Sequence, residues 1–120
     1  MIDRFKTIIS PAEAELKVSK SKFISQVFPV LNSEEVNQAL LLSRKKYYDA
    51  AHHPFAYRLG LDKNNFRYSD DGEPSGSAGK PIMEVIDKNE LTNVLLVVTR
   101  YFGGVKLGVG GLRRAIFDAS

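Results

Sequence analysis

The stretch Val94-Leu95-Leu96-Val97-Val98-Thr99-Arg100-Tyr101-Phe102 decides how the chain folds. Its first five residues are all apolar and leave no polar face, the pattern of a strand buried on both sides rather than at a sheet edge. The run therefore predicts a central strand. It leads into residues 103–111, which hold five of the nine glycines, after which Leu112, Ala115, Ile116 and Ala119 recur at helical spacing up to Ser120.

Upstream of this strand, Ser69-Asp70-Asp71-Gly72-Glu73-Pro74-Ser75-Gly76-Ser77-Ala78-Gly79 is too polar and too rich in Gly and Pro for an element interior, and reads as a long loop. Pro81 then suits the first helical position. With Ile82, Val85 and Ile86 at i, i+3 and i+4, it predicts a short helix over 81–89. Further back, Phe55, Tyr57, Leu59 and Leu61 alternate with smaller or polar residues, and Asp62-Lys63-Asn64-Asn65 offers turn chemistry before Phe66-Arg67-Tyr68, a hairpin pattern. Asn32 stands three residues before Glu35 and opens a helical repeat of Val36, Ala39, Leu40 and Tyr47, which predicts a helix over 33–48. Its end carries Arg44, Lys45 and Lys46, the sign that complements the helix dipole. Ala14, Leu16 and Val18 alternate with Glu15 and Lys17, and Phe23–Phe28 is rich in aromatic and β-branched residues; these are two further strands, separated at Ser19–Lys22 by a turn or bulge.

With 120 residues, 43% hydrophobic and 26% charged, the chain suits one compact domain. The absence of Cys excludes disulfide scaffolds, thiolate zinc sites and cysteine nucleophiles, and favours a cytosolic protein. No apolar run approaches the roughly 20 residues that span a bilayer, and Met1-Ile2-Asp3-Arg4 lacks the apolar core of a signal peptide. The net charge of +3 is unevenly spread: residues 1–69 carry 11 Lys/Arg and 7 Asp/Glu, 70–90 carry 2 and 6, and 91–120 carry 4 and 1. That partition predicts either two surface signs in different places or an ordinary mixed surface.

Two glycine-rich loops each follow a strand and open a helix, so their backbone N–H groups can converge on an anion. Gly76 and Gly79 with Lys80, and Gly104 and Gly110 with Lys106, are the candidates. Arg100 beside two aromatics, and Arg113 with Arg114 in a helix first turn where cations oppose the dipole, extend this set toward phosphate or bases. The named phosphate motifs fail, because Pro74, Pro81 and Arg113 stand where a P-loop or a dinucleotide fingerprint needs Gly, Ser or Thr. The plainer reading assigns these glycines to tight turns and close helix–strand packing. Asp70, Asp71 and Glu73 with His52 and His53 form a second candidate group, for metal-assisted or acid–base hydrolysis. Their spacing matches no metal-ligand signature, adjacent histidines diverge on an extended chain, and Asp-Asp-Gly-Glu equally serves a turn and the start of a helix. No cofactor, metal or nucleophile pattern emerges.

Asp70 to Pro81, followed by Val97-Val98-Thr99-Arg100-Tyr101-Phe102-Gly103-Gly104-Val105-Lys106-Leu107-Gly108-Val109-Gly110-Gly111-Leu112, resembles the signature of the YigZ/IMPACT family, and Ala51-His52-His53 and Ala56-Tyr57-Arg58-Leu59-Gly60 resemble its upstream block. The resemblance implies an α+β fold: a two-layer α/β sandwich like the second domain of ribosomal protein S-five, with a mixed sheet of about four strands, two to three helices on one face and a left-handed crossover. It implies that residues 1–120 form a single N-terminal-type domain, usually followed by a ferredoxin-like domain. Eukaryotic members restrain an amino-acid-starvation kinase by competing for its activator. The expectation is thus a cytoplasmic, non-enzymatic regulator linked to translation that binds RNA or DNA, the ribosome or a regulatory protein, with no membrane and no cofactor. The alternatives are a hydrolase on a phosphorylated or peptide substrate, using Asp70, Asp71 and Glu73, and a protein-interaction module without a site of its own.

Overall fold

A computed structural model describes residues 6–103, apart from 19 and 63. Its elements are β1 (Ala12–Val18), β2 (Ser21–Pro29), α1 (Ser33–Lys46), β3 (Phe55–Arg58), β4 (Phe66–Ser69), α2 (Gly79–Lys88) and β5 (Val94–Tyr101). The helix expected at 112–119 lies outside the described residues.

The apolar run forms the middle of a five-stranded sheet in the order β1-β2-β5-β3-β4. From Val94 to Arg100 every residue of β5 is buried. Val94, Leu96 and Val98 face one side, where Ile82, Met83 and Ile86 of α2 cover them together with Phe23 and Ala56. Leu95 and Val97 face the other, against Val36 and Ala39 of α1, Val30 and Leu59. Water would otherwise meet one of these rows, at about 25 cal/mol for each Å² of apolar surface left uncovered.

The α+β class stands, and three expectations about its details are corrected. The sheet has five strands rather than about four. It is antiparallel rather than mixed, since all four ladders between described strands run antiparallel. The hairpins β1–β2 and β3–β4 have short connections that force this, and β5 enters between them against the direction of both neighbours. The described helices lie on opposite faces rather than on one, because the central strand is apolar on both. Helix α1 joins the parallel, non-adjacent strands β2 and β3, and α2 joins β4 and β5 in the same way. These two crossovers are equivalent by a half-turn in the sheet plane, so helices on opposite faces give them opposite hands. One is therefore left-handed, against the usual preference.

Local chemistry matches the elements. Asn32 Oδ1 accepts from the Glu35 amide at 2.9 Å, and the Glu35 carboxylate reaches back to the Leu31 amide at 2.8 Å, closing the start of α1. Among the described residues no helix is long and apolar enough to cross a membrane.

Helix α2 begins at Gly79 rather than Pro81, and packs so tightly against β4 that a Cβ on Gly79 would lie 2.8 Å from the Ser69 carbonyl carbon. The neighbour is backbone and cannot rotate away. Replacing Gly79 by Ala should cost about 1–3 kcal/mol, the usual penalty of overpacking, read as a lower urea midpoint. An unchanged midpoint would show that the close approach places no demand on the residue.

Candidate functional site

The loop between β4 and α2 crosses the end of β5, and the carboxylates predicted there converge with the two histidines. Asp70 acts first on its own loop. Its Oδ2 accepts from the Gly76 amide at 3.0 Å, and its Oδ1 accepts from the Ala78 and Gly79 amides at 3.2 and 2.8 Å. The last two amides open α2, so the helix is capped by a residue nine positions before it. Gly76 makes its contribution at a φ of +76°, where a side chain would be strained. The geometry that suited these glycines to an external anion is thus occupied by the chain's own carboxylate.

Asp71 ties the loop to the segment before β3. Its Oδ2 accepts from the His53 amide at 2.8 Å and its carbonyl faces His52 Nδ1 at 2.9 Å, while Arg44 of α1 stands 3.6 Å from Oδ1. A carbonyl can only accept, so Nδ1 is the donor in this contact. Gly72 follows with a φ of +87°, and a Cβ there would press on the His52 ring at 3.0 Å.

Glu73 turns inward. Its side chain is 1% exposed and its Oε1 accepts from Arg100 Nη1 at 2.8 Å, with His52 Nε2 3.6 Å away. The Arg100 guanidinium lies between the rings of Phe23 and Phe102, with centroids 5.9 and 5.4 Å from it. Charge, ring faces and burial therefore hold the loop against β5. His53 points elsewhere, to Thr99 Oγ1 at 3.1 Å, and burial holds its imidazole below the ordinary value of 6.5.

The sequence-based candidates sort as follows. Asp70, Asp71, Glu73, His52 and His53 meet in one place, joined by Arg100, which the sequence had assigned to a separate anion-binding set. Gly76 and Gly79 belong to the same loop, and Lys80 is exposed in the first turn of α2. Gly104, Lys106, Gly110, Arg113 and Arg114 lie outside the described residues. Among the described residues no three His, Asp or Glu side chains are arranged to hold a metal ion.

Sequence reasoning did not find the pairing of Glu73 with Arg100, 27 residues apart, or a second arginine device in which Arg58 of β3 bonds Asp87 of α2 and the Leu91 carbonyl. Nor did it find the cluster at the end of α1, where Glu13 accepts from Tyr47 Oη at 2.8 Å and from Lys46 Nζ at 3.2 Å, and the Tyr47 ring meets that of Tyr101 edge to face at 6.3 Å. Each joins elements distant in sequence.

This arrangement can be set beside known proteins. The model of the Impact N-terminal domain matches residues 19–120. The chain belongs to the IMPACT family. The IMPACT family member YvyE of Bacillus subtilis is 40% identical over 115 residues, which cover 96% of this chain and 53% of that protein. The IMPACT family member YigZ of Escherichia coli is 34% identical over 108 residues, covering 88% and 53%. Among solved structures, one described as a hypothetical protein superposes with a TM-score of 0.87 at 32% identity, over 92% of this chain and 54% of that one. The two-domain translational regulator Yih1 superposes with a TM-score of 0.54 at 25% identity, over 92% and 45%. The chain thus spans about half the length of these two bacterial relatives.

The buried ion pair gives a sharp expectation. Glu73→Gln leaves the Arg100 charge buried without a counter-ion and should cost about 3–5 kcal/mol in urea unfolding. Replacing both residues by Met should cost less than Glu73→Gln alone, since no charge is then stranded. A double variant less stable than the single one would show that a stranded charge is not what Glu73→Gln costs.

Proposed function

We propose that this chain is a non-enzymatic, cytoplasmic, translation-linked regulatory domain that acts by binding the ribosome, and that a ferredoxin-like domain follows it in the whole protein. The observation that carries this reading is the fate of the loop carboxylates. A hydrolase needs a carboxylate free to exchange a proton with water beside a bound substrate. Asp70 is engaged by three backbone amides, Asp71 by the His53 amide, and Glu73 is buried against Arg100. All three hold the fold. The likeness to Yih1, a translational regulator by description, supports the link to translation.

The test is co-sedimentation of the full chain with purified ribosomes through a sucrose cushion at low salt. The chain is expected in the ribosomal pellet, and recovery only in the supernatant would overturn the reading. Turnover of p-nitrophenyl phosphate that disappears in a folded Asp71→Asn variant would replace it with the hydrolase.

A further inference from the structure

At the end of β5, on the face opposite Arg100, cations and aromatic rings alternate. Lys22 Nζ lies 5.0 Å from the centre of the Tyr101 ring, Tyr101 meets Tyr47 edge to face at 6.3 Å, and Lys46 Nζ lies 5.4 Å from the Tyr47 ring. Next to Tyr47, Tyr48 is 82% exposed. The start of β2 and the last turn of α1 thus bring their cations to the rings that β5 and α1 supply.

The local charge is positive. Lys17, Lys22, Lys45 and Lys46 stand on this side against the carboxylates of Glu13, Glu15 and Asp49. The pair of Lys22 with Glu15 is exposed and long at 4.0 Å, while Lys46 holds an exposed 3.2 Å hydrogen bond to Glu13. Exposed pairs of this kind contribute little to stability. Lys45 is exposed and enters no ion pair with another described residue.

We propose that this surface binds single-stranded RNA, with Lys22, Lys45 and Lys46 on phosphates and Tyr48 stacking on a base. An acidic protein segment would use the cations and leave the rings idle, and a duplex hides the faces of its bases. Only a single strand offers phosphates and free base faces together, the chemistry that an alternation of cations and rings recognises. This inference rests on the reading of the chain as a ribosome binder and places the contact on the α1 side of the sheet, not at the glycine-rich loop.

Fluorescence anisotropy of the full chain with a labelled uridine oligonucleotide of about 12 residues, a length within the usual site sizes, tests it. Binding is expected at low salt and should weaken as salt rises. Lys22→Ala/Lys45→Ala/Lys46→Ala should bind at least about tenfold more weakly and lower the slope of log affinity against log salt by about 2, near 0.7 for each lost phosphate contact. Tyr48→Ala, on an exposed side chain whose loss leaves folding intact, should weaken binding by about fivefold or more without changing that slope. Ribosome co-sedimentation without any binding of the oligonucleotide would overturn this inference and leave the proposed function standing. Retention of binding in the triple variant with loss in Lys80→Ala would also overturn it, by moving the contact to α2.

Discussion

Strand β5 has no polar face, and that constraint organises the molecule. A strand apolar on both sides must have a neighbour on each edge and a cover on each face. The two hairpins supply the edges and the two helices supply the covers, α2 over Val94, Leu96 and Val98 and α1 over Leu95 and Val97. The opposite hands of the two crossovers follow from the same demand. A sheet with both helices on one side would leave a row of β5 in water.

The constraint also fixes where charge appears. The apolar run ends at Thr99, and Arg100 still lies under cover at 7% exposure. A buried guanidinium needs a partner. Glu73 provides it, and in reaching inward it draws the whole loop across the strand end. Asp70 then satisfies the amides at the start of α2, and Asp71 fastens the loop to the backbone of His53. The look of a catalytic or phosphate-binding loop thus arises here from residues engaged in closing the fold, while Lys22 and Lys46 stand at the surface beside the rings of Tyr101 and Tyr47.

Much of the fold was legible in the sequence. The central strand was readable because five apolar residues in a row have few other uses, and the start of α1 because Asn32 and Glu35 act within one turn. The boundary of α2 was misplaced at Pro81 because its cap, Asp70, sits nine residues upstream and obeys no local pattern. That β5 is covered on both faces was readable there too, whereas helices on one face were what the family resemblance implied. The site was legible only in its membership. Asp70, Asp71, Glu73, His52 and His53 could be grouped from their chemistry. That Arg100 neutralises Glu73, and that the glycine amides are occupied, depends on contacts spanning six to 27 residues. Charge counts along the chain could not separate a cation facing solvent from one facing a buried carboxylate.

The central claim is that the loop amides are occupied by Asp70 and closed to external anions. It is tested most directly by titrating the isotope-labelled chain with inorganic phosphate and following the backbone amide resonances of Gly76, Ala78 and Gly79. The account predicts no saturable shift at these three amides. A saturable shift shared by all three, with an affinity that Lys80→Ala weakens, would contradict it and restore the loop as an anion site.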